Sequence, residues 1–281
     1  MSRMRVDQEL CILCGQCVEA CPFNGVEIRD DAVVFTESCR LCRVCVKACP
    51  VSAIWLEKSE PVSTVDKEQY KGVLVFAEQR QGSVQPVTYE LIGKGLELAG
   101  KLGEQVCVYL AGSNLSSQAE DLLYYGVDRV YLYDHPLLER FRIEPYTSLM
   151  VELIDQIKPN IILMGATPVG RSLAPRVAAR LRTGLTADCT LLDVKPNGDL
   201  VQTRPAFGGD VMAQIVTPRH RPQMATVRYK VMPAAERISN PHGEVVRCPV
   251  DERFLQSGIE ILGFKPHEAA SSITDAEVIV A

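Results

Sequence analysis

The sequence predicts an α/β chain in which a doubly wound, mostly parallel sheet follows a small, cysteine-rich α+β unit. Three observations carry this expectation. Eight of the eleven cysteines fall within the first fifty residues. The stretch EKSEPVSTVDKEQ at 57–69 is polar, contains Pro61 and lacks apolar periodicity, so it reads as a linker. Beyond it, short apolar runs alternate with helix-length segments, the pattern of buried strands joined by crossover helices.

Size and charge bound the possibilities. With 281 residues, 47% of them hydrophobic, the chain can bury one good-sized core plus a smaller module. A formal charge of -5 argues against a surface for nucleic-acid backbone, which needs concentrated Lys and Arg. The N-terminus, MSRMRVDQELC, has no apolar leader core, and no run of about 18 apolar residues occurs. We therefore expect a soluble, cytoplasmic protein without a membrane span. Crowded cysteines mean either a disulfide scaffold in a secreted protein or a metal site in a reducing compartment. The absence of a leader favours the metal site.

The cysteine-rich segment is a duplication. Cys11, Cys14, Cys17 and Cys21, followed by Pro22, recur 28 residues later as Cys39, Cys42, Cys45 and Cys49, followed by Pro50. The flanks repeat as well: VDQE at 6–9 matches VFTE at 34–37, and VEI at 26–28 matches IWL at 54–56. Each half reads as strand, cysteine loop, short helix, strand. Three thiolates at this spacing can wrap one corner of an iron-sulfur cube, while the fourth, at the start of a helical turn before proline, points away. This is the bacterial ferredoxin run, whose fourth cysteine serves the other cluster. The expected ligand sets for two 4Fe-4S clusters are therefore Cys11, Cys14, Cys17 and Cys49, and Cys39, Cys42, Cys45 and Cys21. Zinc would want four ligands in two pairs instead. A unit of residues 1–57 buries little apolar surface, so cluster ligation must supply much of its stability. A purely structural role stays open, but two adjacent clusters form a one-electron relay.

In the second unit, Val73–Ala77 and residues 106–110, 129–133 and 161–164 read as buried strands. Helices are expected near 88–102, 116–125, 145–157 and 170–182. Residues 190–194 and 200–203, joined through Asn197-Gly198, read as a hairpin, with further strands at 210–216 and 223–229. These should extend one edge of the sheet. The loop GATPVGRS at 165–172 lies between a strand and a helix, where Gly165, Gly170 and Arg171 can meet an anion. It imitates a P-loop but has Arg171 where the lysine belongs, which argues against an ordinary NTPase; a glycine turn needed for packing is the competing explanation. In a second loop, Thr203, Arg204, Pro205, Phe207, Gly208 and Gly209 combine a fixed cation with a glycine pair open to a cofactor, or make a wide hairpin connection. Cys107 and Cys189 read as core thiols. The four histidines lack ligand spacing, and no nucleophile-base set suggests hydrolysis.

From about residue 70 the chain resembles the alpha subunit of electron-transfer flavoproteins, through KPNIILMGAT (158–167), LAPR (173–176), TGLTADC (183–189), QTRPAFGG (202–209) and RPQMATVR (221–228). It resembles in particular the anaerobic alpha subunits with a ferredoxin extension found in electron-bifurcating or confurcating complexes. The resemblance implies an adenine-nucleotide-hydrolase-like domain I and a heterodimer with a beta subunit. It also implies an FAD held mainly by that subunit and contacted here by Arg204 and its 203–209 loop. In such complexes NADH, ferredoxin and an acyl-CoA dehydrogenase-like, enoyl-CoA reductase-like or lactate dehydrogenase-like partner exchange electrons. The implied organisation is a ferredoxin domain at 1–57, a linker at 58–69, flavoprotein domain I at 70–265, and a linker with the first strand of an FAD-binding domain at 266–281. Family alpha subunits continue into that domain, which holds a second FAD, so DAEVIVA at 275–281 is expected to open it in a longer chain. The rival readings are a redox-sensing nucleotide-binding module and an iron-sulfur ATP-dependent ligase.

The two cysteine loops differ in charge: Arg40 and Arg43 flank the second, where the first has Ile12 and Gly15. Cations beside a reduced cluster favour its extra negative charge, unless water screens them completely. Replacing both arginines with Gln should lower the midpoint potential of the Cys39–Cys42–Cys45 cluster by on the order of 10–50 mV. Potentiometric titration followed by electron paramagnetic resonance measures this, and unchanged potentials would remove the idea.

Overall fold

The computed structural model describes residues 3–36, 38–57, 65–265 and 278. The expected strand at 275–281 thus lies outside the described residues save for Val278, as does most of the 58–69 linker. The chain divides into two compact units, Met1–Thr64 and Val65–Ala281.

The first unit runs β1 (Arg3–Val6), α1 (Gln16–Glu19), β2 (Val26–Arg29), β3 (Ala32–Phe35), α2 (Val44–Ala48) and β4 (Ile54–Glu57). Its strands pair between the two repeats rather than within them: β1 runs antiparallel to β4, and β2 to β3. The small core this makes consists of Met4, Val26, Val33 and Ile54 together with the thiols of Cys17 and Cys45. Sulfur is thus part of the packing.

The second unit opens with β5 (Val73–Ala77), the short pair β6 (Gln79–Arg80) and β7 (Ser83–Val84), α3 (Val87–Leu102) and β8 (Val106–Gly112). It continues with α4 (Ser116–Leu123), β9 (Arg129–Asp134), α5 (Ile143–Ile157), β10 (Ile161–Gly165) and α6 (Pro168–Leu181). Then follow β11 (Leu185–Cys189), β12 (Leu191–Val194), β13 (Leu200–Ala206), β14 (Val211–Ile215), β15 (Gln223–Val227) and β16 (Glu244–Arg247). A seven-stranded sheet has the order β11-β15-β10-β5-β8-β9-β16, with every pairing parallel. Alternate residues of each strand face opposite layers. Val73, Val75, Val108 and Leu163 pack under α3 and α4, while Leu74, Phe76, Tyr109 and Met164 pack under α5 and α6. The doubly wound expectation holds.

The strands after α6 do not all extend one edge. Only β12, β13 and β14 form an antiparallel arm, a separate three-stranded sheet. The strand at 223–227 instead enters the parallel sheet between β11 and β10. All five of its residues are buried, as a strand covered on both faces requires. The edge strands β11 and β16 are additional to the runs read from hydrophobicity. Edge strands carry more polar sequence, so LTADC and EVVR lack the apolar signal.

A buried charged knot ties the arm to the sheet. Asp199, just before β13, accepts from Arg221 Nη2 at 2.7 Å and from Lys67 Nζ at 3.0 Å. Arg221 also donates to the carbonyls of Thr217 and His220, at 3.1 and 2.9 Å. Next to it, the Gln223 amide accepts from Leu200 N at 2.7 Å and donates to Asn160 Oδ1 at 3.1 Å and Gly198 O at 2.9 Å. Among the described residues, no helix is long and apolar enough to cross a membrane.

Burial alone would push the Asp199 carboxyl up, but the bonds from Arg221 and Lys67 outweigh it and hold the group below its ordinary value. A depressed pKa means stability that is present above the unfolded value of about 4 and lost as pH falls through the folded one. Asp199→Ala leaves the Arg221 guanidinium buried without its counter-ion and should cost about 3 kcal/mol at pH 7. In thermal or urea unfolding, the gap between wild type and variant should narrow below about pH 4; a gap that stays constant would contradict the assignment.

Candidate functional site

The two cysteine loops share one backbone. Left-handed φ values fall at Leu13 and Leu41, Gly15 and Arg43, and Asn24 and Ser52, each pair 28 residues apart. Such turns give the two loops the same backbone course. Exposure repeats too: Cys17 and Cys45 are buried, Cys14 and Cys42 exposed, and Cys11, Cys21, Cys39 and Cys49 half-buried. The fourth sulfur of each half accepts a backbone hydrogen bond four residues on, Cys21 Sγ from Gly25 N at 3.2 Å and Cys49 Sγ from Ala53 N at 3.3 Å. Burial pushes the thiols of Cys17 and Cys45 up.

The halves interlock around these sulfurs. A small pocket is lined by Cys39, Cys42 and Cys45 and also by Cys21 from the other repeat, with apolar walls from Met4, Phe23, Val26 and Phe35. These are the four thiols of one expected set. Gly25 presses on the second loop so closely that an added Cβ would lie 2.6 Å from Cys39 Cα. Among the described residues, no three His, Cys, Asp or Glu side chains converge closely enough to hold a single metal ion. A cube of four irons takes its thiolates at wider separation. Four sulfurs around one apolar pocket, drawn from both halves, fit such a cube.

Arg43 stands out within this symmetry. It adopts φ 63° where its repeat mate Gly15 has φ 77°. The left-handed turn suits glycine, and an arginine there costs about 1 kcal/mol. Both Arg40 and Arg43 line the sulfur pocket and are exposed.

In the second unit, four of the sequence motifs meet at the carboxyl ends of β10, β15 and β11. Asp188 accepts from Arg228 Nη2 at 2.6 Å and from Arg171 Nη2 at 3.3 Å. The Arg228 bond, with Arg171 and Arg204 adding to the positive field, holds the Asp188 carboxyl below its ordinary value. Three arginines on one aspartate leave this edge positively charged. Arg204 and Thr203 sit on β13, and the chain then turns through Phe207, Gly208 and Gly209, all with positive φ. Phe207 is 85% exposed, and open space surrounds both glycines. Thr203 is buried and Pro205 half-buried. The loop therefore fits a planar group presented from outside the chain, not one enclosed by it.

The 165–172 loop has a packing reason of its own. Thr167 caps α6, accepting from Gly170 N at 3.1 Å, and a Cβ on Gly170 would fall 1.9 Å from the Gly165 carbonyl oxygen. The sequence reading missed Glu78, which is 1% exposed at the end of β5. Its carboxylate accepts from the Thr167 hydroxyl and from Arg80 at 2.8 Å. Because β5 and β10 flank the point where strand order reverses, this internal carboxylate occupies the crevice in which such sheets receive anions. A lone Glu after an apolar run carries no signal of that. Burial pushes the Cys107 thiol up to about 11 and the Cys189 thiol up to about 12; Cys189 is a core thiol as expected, while Cys107 is half-buried against the core.

Residues 73–253 match the electron transfer flavoprotein domain, and residues 4–27 and 32–55 each match the 4Fe-4S binding domain. The chain is 48% identical over 263 residues to the lactate dehydrogenase (NAD(+),ferredoxin) subunit LctC of Acetobacterium woodii, covering 94% of this chain and 63% of that protein. It is 44% identical over 212 residues to the electron transfer flavoprotein subunit alpha of Thermoanaerobacterium thermosaccharolyticum, covering 75% of this chain and 64% of that one. Against protein FixB of Azorhizobium caulinodans it is 43% identical over 217 residues, covering 75% and 59% respectively. The chain thus spans about three fifths of each relative's length. The first match leaves too few residues uncovered to miss the cysteine-rich unit. Domain match, parallel sheet and motifs agree: the chain belongs to the electron transfer flavoprotein family and carries two 4Fe-4S binding motifs ahead of its flavoprotein domain.

Proposed function

We propose that this chain is the electron-transferring alpha subunit of a heterodimeric, cytoplasmic flavoprotein, passing single electrons between FAD and ferredoxin through two 4Fe-4S clusters. The observation that carries this reading is the interlocked pair of cysteine loops on the same chain as the family domain. When bound, the flavin splits a two-electron hydride transfer into one-electron steps and the clusters carry those electrons singly. The chain's own residues do the holding. Cys11, Cys14, Cys17 and Cys49 ligate one cluster, and Cys39, Cys42, Cys45 and Cys21 the other. Met4, Val26 and Phe35 keep water from the second set. Arg204 and the 203–209 loop contact the edge of an FAD held mainly by a beta subunit.

The physiological setting we favour is flavin-based bifurcation or confurcation with NADH, ferredoxin and a lactate dehydrogenase-like partner. The extent of the match to LctC, a protein named for lactate, NAD(+) and ferredoxin, supports that choice. An acyl-CoA dehydrogenase-like or enoyl-CoA reductase-like partner is the alternative within the same mechanism. In this reading the domains lie at 1–57 and 70–265.

Purified anaerobically with its partner subunit, the chain should carry about eight irons, with FAD in the complex. NADH should reduce the clusters in electron paramagnetic resonance; clusters that stay oxidised in the complete complex would sink the relay. Cys49→Ser should disturb the spectrum of the cluster bound to Cys11, Cys14 and Cys17, while Cys21→Ser should disturb the one bound to Cys39, Cys42 and Cys45. Damage confined to each mutated repeat's own cluster would refute crossed ligation.

A further inference from the structure

The two cysteine loops have the same backbone but opposite electrostatic character. Position for position, Ile12, Gly15 and Glu19 of the first loop are replaced by Arg40, Arg43 and Lys47 in the second. All three basic side chains are exposed. Among the described residues, no carboxylate pairs with any of them. Arg43 is held in a left-handed conformation that its repeat mate fills with glycine, so this backbone carries a guanidinium where it would more readily accept no side chain. Between the cations, Leu41 and Val44 are 37% and 39% exposed beside the half-open Cys39–Cys42–Cys45 pocket. Small apolar centres with charged rims are the anatomy of transient protein interfaces.

We propose that the second cysteine loop, with Arg40, Arg43 and Lys47 around Leu41 and Val44, is the docking surface for a small acidic one-electron carrier protein. The first loop, neutral to acidic and lined by Ile12 and Leu13, is not. The proposal rests on the relay reading above and adds which of the two clusters meets the external carrier. Charge complementarity selects the occupant: unpaired cations at a redox centre steer an anionic protein toward it and repel a cationic one. Each encounter passes one electron, so the loop's cluster is oxidised by one as the carrier is reduced by one, and no proton has to move.

The test exchanges each cation for the residue that the same backbone already tolerates in the other repeat: Arg40→Ile, Arg43→Gly and Lys47→Glu together, in the cluster-loaded chain with its partner subunit. Binding is measured by calorimetry over a salt series with two probes, an acidic bacterial 2x4Fe-4S ferredoxin and basic cytochrome c. Wild type should bind the ferredoxin more weakly as salt rises. The triple variant should bind it about tenfold or more weakly at low salt and lose most of the salt slope, without weaker binding of cytochrome c. Iron content and both resonance signals should be retained. The milder pair Arg40→Gln with Arg43→Gly should show the same direction if the triple variant fails to load. A change of driving force alone would alter transfer rates but not affinity. Unchanged ferredoxin affinity and salt slope in the variants, with electrons still passing, overturns the surface and leaves the relay standing. Salt-sensitive binding at this loop without electron transfer overturns the relay and leaves the surface standing.

Discussion

The N-terminal unit depends on one constraint, that eight cysteines must be positioned by a chain too short to hold itself together by hydrophobic collapse alone. Left-handed turns at repeat-related positions shape the two cysteine loops alike, and the crossing of the halves brings Cys21 to the pocket of Cys39, Cys42 and Cys45. The strand pairing obeys the same rule: β1 finds β4 and β2 finds β3, so neither repeat makes a sheet alone. Gly25 then has to be glycine because it lies against the backbone of Cys39, across the repeat boundary. Sulfur, sheet and close contact all sew one half to the other. Stability and ligation in such a small unit are therefore inseparable.

The second unit solves a different problem, the insertion of a late strand into the middle of a parallel sheet. β15 arrives after the whole antiparallel arm, yet lies between β10 and β11. The buried bond of Arg221 to Asp199 and the amide of Gln223 fix the arm's base and the strand's start together. With the base fixed, the far end of the arm carries Arg204 and the 206–209 turn to the carboxyl edge of the sheet. Arg171, Asp188 and Arg228 meet at that same edge from three other segments. The arrangement leaves a positive rim beside an exposed aromatic ring, while the nearby crevice is filled by Glu78.

The duplication in the first unit also shows where symmetry was given up. Backbone angles, thiol exposure and hydrogen bonds to sulfur repeat closely, because each serves the same task in both halves. Charge does not repeat. A left-handed arginine opposite a glycine means the second loop keeps a cation despite the conformational cost. Two chemically similar centres thus present different faces to solvent, which in an electron relay separates the ends of the path.

Much of this was legible from sequence. The 28-residue repeat, the ligand-like spacing, the buried strands β5, β8, β9 and β10 and the motifs at 158–228 all rest on local signals: fixed spacing, apolar runs and short strings. What the sequence could not order was anything decided by long-range pairing. The 223–227 strand looked like one more edge strand because its neighbours belong to an antiparallel arm, and only burial on both faces places it inside. The edge strands β11 and β16 were invisible because an edge needs little hydrophobicity. Glu78 was missed because a carboxylate acquires meaning only when Thr167 and Arg80, brought by other elements, close around it. Sequence determined which chemistry the chain can carry, since ligand identity and spacing are local. Tertiary structure decided which cysteines share a pocket and which arginines share an aspartate, since those depend on contacts between segments far apart in the chain.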